Sequence, residues 1–292
     1  MKPRNQMWVD LSKRVVVSSL IIAVTLLLIL FSSLPFVSIL LALIVAALAG
    51  VGVWEYGNMA KEKELNVAQY AMVVLSIGLV LAFYLSYTYV QEPLLPVVFL
   101  AASVVLFCLI HFKEMPNALS NIGIEFFSIC YVAVPLGFIL GILFATSNEA
   151  SIHAGKWWVI YVIAVTKITD IGGYFFGKFF GKRKLARRLS PSKTIEGAIA
   201  GFLCAVGGSL AFYFLGNALS QGAFSLSLVE SIWLGMFIGV LAQIGDLSES
   251  LFKRDASIKD SNHLPGLGGV LDMIDSLVFT VPFVYFFLNL KP

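Results

Sequence analysis

The chain is poor in charged residues and has only three cysteines and three histidines. Asp, Glu, Lys and Arg make up 13% of its 292 residues, about half the share found in soluble domains, whereas 59% of the residues are hydrophobic. This composition excludes a soluble globular protein, a disordered chain and a charged coiled coil. The net charge of +3 is too small to indicate a nucleic-acid partner.

Cysteine and phosphate-loop motifs are also missing. Cys108, Cys130 and Cys204 lie singly within apolar runs, without the spacing of a metal site or a redox motif, so we interpret them as core residues. The sequence contains no GxxxxGKS or GxxxxGKT loop of the kind that cradles nucleotide phosphates. Any nucleotide site must therefore be built in another way.

Long apolar runs recur along the chain and predict an all-α fold, a polytopic bundle of membrane helices. A helix needs about 20 apolar residues to cross the hydrocarbon core, and it satisfies its own backbone hydrogen bonds there. We predict about nine spans, with eight or ten as alternatives, because the first run is divided only by Pro35 and the eighth span is short. The expected spans are residues 15–33, 34–56, 68–87, 94–112, 122–146, 157–176, 195–214, 228–241 and 270–290.

Lys and Arg are distributed very unevenly between the two sides of such a bundle. With the N-terminus inside, 17 of the 20 lie on the inner side, Lys156 and Lys291 lie outside, and Lys167 lies within a span. The positive-inside rule then places the N-terminus in the cytoplasm and the C-terminus outside. We expect an integral multi-pass protein of the cell inner membrane.

The inner loops distinguish two halves of the chain. Residues 1–150 carry short, featureless inner loops and are interpreted as N-terminal transmembrane helices. Residues 151–292 contain two long polar inner loops, 177–194 and 243–269. This second half is therefore predicted to be catalytic, with its active-site loops facing the cytoplasm.

The first polar loop is strongly basic and ends at a helix start. Ser190, Lys193 and Thr194 directly precede the seventh predicted span, and Glu196 lies in its first turn. Hydroxyl caps, free amides and a lysine at a helix start suit an anion such as phosphate. Two plainer roles stay open: basic residues that only fix membrane orientation, and Glu196 as a cap acid rather than a metal ligand.

Asp170 is a charged residue inside the sixth predicted span. A charge near the middle of the bilayer costs roughly 2.5 to 3.5 kcal/mol, so it needs a partner. Lys167, three residues earlier, lies on nearly the same helix face and would form an internal ion pair. The functional alternative places Asp170 beside a polar cavity near the cytoplasmic end of the span.

One stripe of the eighth helix carries three kinds of polar group. Asp246, Ser250 and Lys253 are four and three residues apart, so a helix continuing from the eighth span presents a carboxylate, a hydroxyl and an ammonium in one direction. Glu249 and Arg254 are predicted to point elsewhere.

Two further acids open the last helix. Asp272 and Asp275 follow a turn rich in proline and glycine and lie one helical turn apart. Helix capping alone is one explanation. Together with Asp246 and the nearby lysines, however, they form the group that nucleotidyl transfer uses, since Mg²⁺ takes one or two carboxylates and ammonium groups offset the charge of a leaving phosphate.

These motifs resemble those of the phosphatidate cytidylyltransferases, also called CDP-diacylglycerol synthases. The resemblance covers about the last 125 residues. One element, D-x-G-x-Y-F-x-G, begins at Asp170, and a second, S-P-x-K-T-x-E-G, begins at Ser190. The third runs S-x-x-K-R, then K-D, a Gly-rich turn and two aspartates; it comprises Ser250, Lys253, Arg254, Lys259, Asp260, Gly268, Gly269, Asp272 and Asp275.

The resemblance implies that CTP and phosphatidate react to give CDP-diacylglycerol and pyrophosphate. It implies Mg²⁺ as cofactor, with a second metal or a monovalent cation as an option. The implied catalytic residues are Asp246, Ser250, Lys253 and Asp272. The implied metal ligands are Asp246 and Asp272, with Asp275 and Asp260 as second candidates. The implied substrate-binding residues are Asp170, Ser190, Lys193, Thr194, Glu196 and Lys259.

The chain departs from the family pattern at several positions. Leu267 and Met273 stand where a histidine and an arginine are usual, and Lys167 with Ile168 replaces a tryptophan-glycine pair. Lys167 or His263 would be the candidates to substitute for the lost side chains. The acids and the other lysines of the motifs are retained.

Two other functions stay open at the level of sequence. A related lipid enzyme, such as a CTP-dependent polyprenol or phytol kinase or an ether-lipid synthase, would use the same acids. A transporter of an anionic solute would use the buried pair of Asp170 and Lys167. Membrane lipids are expected partners in every case, and a homodimer is compatible with such a bundle.

Overall fold

The protein is a bundle of long apolar helices. A computed structural model describes residues 19–90, 92–112, 116–145, 149–258 and 269–291, and the all-α prediction is confirmed over these residues. Among them, seven helices are long and apolar enough to cross a membrane, and two shorter apolar helices lie near the ends of the chain. These nine segments overlap the nine predicted spans, although the number that cross and the side of the N-terminus stay predictions. The last predicted span is wrong in one respect, since it is divided into Val270–Ile274 and Leu277–Leu290, with Asp275 between the two helices.

The bounds of the helices and strands follow the sequence closely. In chain order they are α1 (Ser19–Leu30), α2 (Pro35–Glu62), α3 (Gln69–Leu85), α4 (Leu94–His111), α5 (Ala118–Ser128), α6 (Val134–Phe144), α7 (Glu149–Phe180), β1 (Lys184–Ala186), β2 (Ser190–Thr194), α8 (Ile195–Leu219), α9 (Leu228–Asp255), α10 (Val270–Ile274) and α11 (Leu277–Leu290). Two π-helical turns, Ser86–Val90 and Ile129–Ala133, extend α3 and join α5 to α6. The short eighth predicted span is thus part of a longer helix, α9.

Several helix starts are encoded locally. Pro35 lies in the first turn of α2, where its missing amide hydrogen removes no helical bond. At α9, the Ser227 hydroxyl accepts the Glu230 amide at 3.2 Å and the Glu230 carboxylate accepts the Ser227 amide at 2.8 Å, which is a capping box. Thr194 caps α8 by accepting the Gly197 amide at 3.1 Å.

The basic loop contains a small antiparallel hairpin that the sequence does not predict. Strand β1 pairs with β2, so that Lys184 lies opposite Thr194 and Ala186 opposite Ser190. A two-stranded hairpin is marginal by itself. Here the strands continue directly into α8, which holds one end of the hairpin in place.

Glycines bring α7, α8 and α9 close together beside the polar loops. A β-carbon on Gly197 of α8 would lie 2.7 Å from the carbonyl oxygen of Gly173 on α7. Gly245 on α9 faces the carbonyl oxygen of Asp275 in the same way. Because small residues allow helix backbones in membranes to approach closely, these contacts set the spacing of the helices that carry the polar groups.

The two halves of the chain share one buried core. Helix α11 packs against α6 as well as α7 and α9, and α10 packs against α2. The rings of Tyr131 and Phe252 lie 5.3 Å apart between the halves, and Tyr56 packs on Phe252 at 5.7 Å. The boundary near residue 150 thus stays a division of the sequence, since the core runs across it.

Substitution of Gly245 by alanine is expected to destabilise the bundle. Its β-carbon would overlap the backbone of Asp275 and of Ser276, so α9 has to move away, at a cost of about 1 to 3 kcal/mol for overpacking. Thermal unfolding of the detergent-purified protein measures the loss. Gly207→Ala is the matched control, because a β-carbon there meets open space among the described residues. Equal melting temperatures for the two variants would contradict the close approach.

Candidate active site

Three carboxylates converge where α9 meets the turn between α10 and α11. One oxygen from each of Asp246, Glu249 and Asp275 lies within 4.8 Å of the others. We call this group the acidic trio. Glu249 and Asp275 are buried and Asp246 is partly exposed. Like charges at this separation repel strongly where water is scarce, so the trio requires counter-charges.

Two lysines supply these counter-charges. Lys193, at the end of β2, pairs with Asp246 at 2.6 Å. Lys253, one turn after Glu249 on α9, lies 2.7 Å from the Glu249 carboxylate and 2.5 Å from that of Asp272. Lys253 therefore links the acidic trio to Asp272 on α10.

Charged side chains from two other helices hold α10 at both ends. Glu55, fully buried on α2, accepts the amides of Val270 and Leu271 at 3.0 and 2.9 Å. Lys167 on α7 donates to the carbonyl oxygen of Met273 at 3.1 Å. A negative group at the first amides and a positive group at a last carbonyl both complement the helix dipole. They fix the short segment that carries both aspartates of the motif.

Asp170 on α7 lies close to the acidic trio. Its carboxylate accepts the Ser276 hydroxyl at 2.9 Å and the Lys167 ammonium at 3.3 Å, so the predicted ion pair is confirmed. Lys167 also donates to the Ser276 hydroxyl at 3.1 Å. Because Ser276 directly follows Asp275, this network brings Asp170 beside the acidic trio.

The predicted residues of the first polar loop separate into two groups. Lys193 lies at the trio. Thr194 caps α8. Glu196 is exposed and accepts the backbone amides of Lys182 and Arg183, just before β1, at 3.0 and 3.1 Å, so these bonds fasten the segment before the hairpin to α8. Ser190 lies on β2, where its hydroxyl bonds that of a neighbouring serine at 3.3 Å.

Four predicted residues are not shown at the acidic trio. Ser250 is partly buried on α9, and its hydroxyl makes no hydrogen bond within the described part of the chain. Lys259 and Asp260 lie outside the described residues, as does His263. Their roles stay predictions.

Comparison with known proteins decides the family. The sequence model of the cytidylyltransferase family matches residues 12–291. The chain belongs to the cytidylyltransferase family. The similarity seen in the motifs of the last 125 residues thus extends along nearly the whole chain.

Individual members of the cytidylyltransferase family are similar over their full length. The phosphatidate cytidylyltransferase of Chlamydia pneumoniae is 36% identical over 98% of this chain and 94% of its own. That of Haemophilus influenzae is 31% identical over 94% of this chain and 98% of its own. The Bacillus subtilis enzyme of the same name is 29% identical over 97% and 99%.

The prediction that Glu249 points away from the polar stripe is wrong. In a helix of 3.6 residues per turn, position 249 lies about 60° from Asp246 and about 40° from Lys253 around the axis. That is as close as Ser250. Glu249 is therefore a member of the acidic trio. Its spacing of three residues from Asp246 and four from Lys253 indicates this position from the sequence alone.

Glu55 and Tyr131 are further site residues, both from the first half of the chain. Glu55 is a single carboxylate in an apolar run, a pattern that indicates a paired or functional group inside a membrane. Tyr131 lies in the second π-helical turn, close enough to interact electrostatically with Asp275, Glu249 and Asp246. Its buried hydroxyl has no hydrogen-bond partner among the described residues. No motif distinguishes Tyr131 from other tyrosines in apolar runs.

Removal of the Glu55 carboxylate is expected to loosen α10. Glu55→Ala leaves the Val270 and Leu271 amides buried without these acceptors, each at a cost of about 1 to 3 kcal/mol. Glu55→Gln keeps one acceptor oxygen and should lose less. Hydrogen–deuterium exchange of the 269–276 segment measures the effect, and it should rise most in Glu55→Ala.

Glu125→Ala provides the matched control for this exchange experiment. Glu125 is also fully buried, but its carboxylate accepts the Ala68 amide at 2.6 Å, far from α10 in the sequence. Its loss should increase exchange near Ala68 and leave residues 269–276 protected. If both variants expose the same segment, the effect is general loosening and not the loss of a cap at α10.

Proposed function

We propose that the protein transfers the cytidylyl group of CTP to phosphatidate, forming CDP-diacylglycerol and pyrophosphate. The observation that carries this proposal is a cluster of carboxylates and lysines built on apolar helices of a cytidylyltransferase-family chain. Its full-length relatives are named phosphatidate cytidylyltransferases. One substrate of that reaction is a lipid and the other a polyanion, and the cluster offers a polar site within reach of both.

The balance of charge supports a divalent cation in this site. Asp246, Glu249, Asp275 and Asp272 carry four formal negative charges, and the two lysines paired with them neutralise two. A net charge of about −2 would repel a triphosphate. Binding of Mg²⁺ cancels that charge, and Mg²⁺ prefers carboxylate and phosphate oxygens.

A buried oxygen atom also fits a cation. Oε1 of Glu249 is buried and accepts no N–H or O–H group among the described residues, while its other oxygen pairs with Lys253 and the carboxylate as a whole lies against that of Asp272. A buried acceptor without a partner is costly unless a ligand or ion satisfies it. We therefore assign Mg²⁺ to Asp246, Glu249 and Asp275, with Asp272 beside them. A second metal or a monovalent cation stays an option.

The lysines suit the chemistry of this reaction. A phosphatidate phosphate is already ionised at neutral pH, so its oxygen can attack the α-phosphorus of CTP without a strong base. Catalysis then depends on positioning and on neutralising the pyrophosphate that leaves. Lys193 and Lys253 pair with carboxylates in this structure, and each ammonium group can pair with a phosphate oxygen of the substrate instead. When bound, Mg²⁺ would supply further neutralisation of the triphosphate.

The proposed reaction also predicts how the protein lies in the membrane. The acyl chains of phosphatidate would stay in the bilayer, beside lipid-facing helices, while the phosphate reaches the acidic trio. We place the protein in the inner membrane with the trio on the cytoplasmic side, since CTP is cytoplasmic. The homodimer stays a prediction.

A related CTP-dependent lipid kinase is the second candidate, because it would use the same acids. The products separate the two functions. Purified protein given CTP, Mg²⁺ and phosphatidate should release pyrophosphate and form CDP-diacylglycerol. Release of CDP from a polyprenol or phytol substrate would identify a kinase instead.

Asp246→Asn and Asp272→Asn are each expected to reduce pyrophosphate release at least about 100-fold, the size of effect seen when one charge-stabilising group of an active site is lost. Both variants should still be inserted in the membrane. Asp255→Asn is the control, since Asp255 lies on the same α9 but pairs only with the exposed Lys63 among the described residues. Turnover at the normal rate in Asp272→Asn would remove that residue from the site.

The proposed topology predicts the location of the C-terminus. Alkaline phosphatase fused after Pro292 should be active, because it folds outside the cytoplasm. The same enzyme inserted after Lys184, in the hairpin, should be inactive. An inactive C-terminal fusion that is fully expressed would place the C-terminus in the cytoplasm and contradict the proposed topology.

A further inference from the structure

The end of α7 and the hairpin after it form one exposed surface with aromatic and basic parts. The aromatic part is between 46% and 71% exposed and consists of Tyr174, Phe175, Phe176, Phe179 and Phe180. The basic part follows within a few residues and consists of Lys182, Arg183, Lys184, Arg187 and Arg188, all exposed. We call the two parts together the hairpin surface.

The cations of the hairpin surface form no ion pair within the described part of the chain, whereas Lys193 on the same hairpin pairs with Asp246 at 2.6 Å. One acid is near them: the Glu196 carboxylate interacts electrostatically with Arg183. Lys184, Arg187 and Arg188 are exposed and are available to an external anion.

The hairpin surface is held in a fixed position. The Glu196 carboxylate accepts the amides of Lys182 and Arg183 at 3.0 and 3.1 Å, and Arg254 on α9 donates to the carbonyl oxygen of Leu189 at 3.1 Å. A flexible basic loop would be enough to set membrane orientation. A hairpin tied to both α8 and α9 instead presents its cations at a defined place beside the site.

We propose that the hairpin surface binds the head groups of anionic phospholipids and delivers phosphatidate to the acidic trio, an inference that rests on the proposed function. Tyr174 is of a residue type that lies at the level of the head groups, and the phenylalanines beside it offer an apolar face to the boundary of head groups and acyl chains. Basic residues at that level attract anionic lipids. Arg188 lies in the turn of the hairpin, five residues from Lys193, so at most about 17 Å of chain separates a lipid phosphate held at the tip from the site.

Free CTP fits the hairpin surface less well. The aromatic side chains border the cations and continue the apolar exterior of α7, where Ile171 is also exposed. A soluble polyanion gains nothing from that apolar neighbourhood, whereas a phospholipid uses both parts. The aromatic part therefore favours a phospholipid as the ligand of the hairpin surface.

The test uses the full-length protein in phosphatidylcholine vesicles, with phosphatidate varied as a fraction of the lipid. Arg187→Gln combined with Arg188→Gln removes two exposed charges at the tip. We expect the KM for phosphatidate to rise about fivefold or more, the effect of losing one or two interfacial charges, while the KM for CTP is unchanged. Phosphatidylglycerol, an anionic lipid used as a competitor, should raise the phosphatidate KM of the unaltered protein and have little effect on the variant.

Lys61→Gln is the control, because it removes an exposed cation in the last turn of α2 that pairs with no acid in the described part of the chain. The inference fails if the hairpin variant and this control behave alike. It also fails if the KM for CTP rises and that for phosphatidate does not, since the surface would then serve the nucleotide.

Lipid retention separates this inference from the proposed function. The amount of phosphatidate and phosphatidylglycerol that copurifies with the protein, measured by mass spectrometry, should fall in the hairpin variant and not in the control. If this difference is seen while the unaltered protein releases no pyrophosphate, the hairpin surface binds anionic lipids but the proposed reaction is wrong. Equal lipid retention in all three proteins contradicts the proposal that the hairpin surface binds anionic lipids.

Discussion

The organising constraint of this structure is the need to neutralise carboxylates gathered on apolar helices. Lys253 meets that need most directly, since its ammonium lies between Glu249 and Asp272 at 2.7 and 2.5 Å. Without it, two acids on different helices would repel each other in a region with little water. Lys193 does the same for Asp246 from the hairpin. The positions of α9, α10 and the hairpin therefore depend on one another, and a polyanionic substrate entering here must exchange with these pairs.

The first half of the chain contributes to the site although its loops are featureless. Glu55 caps α10 from α2, and Tyr131 places a buried hydroxyl near the acidic trio from a π-helical turn. A segment of five residues has too few internal hydrogen bonds to be stable alone. Helix α10 thus depends on groups outside the half of the chain that carries the motifs.

Much of this architecture can be predicted from the sequence, because the bilayer imposes a length and a polarity on each span. The pair of Lys167 and Asp170 and the Thr194 cap are likewise local, since both partners lie within one turn. Long-range contacts have no such signal: the bond between Glu55 and the start of α10 joins residues more than 200 positions apart. The hairpin is also missed, because alternation of apolar and polar residues is absent from a strand as short and polar as β2.

Two departures from the pattern that the resemblance implies change the charge near Asp272. Relative to that pattern, Met273 removes a positive charge beside Asp272 and Lys167 adds one on α7. The two changes meet in space, since the Lys167 ammonium lies 3.1 Å from the carbonyl oxygen of Met273. The same ammonium reaches Asp170 and Ser276. In this chain, Lys167 on the long α7 therefore places a positive charge against the short α10, which carries no cation of its own.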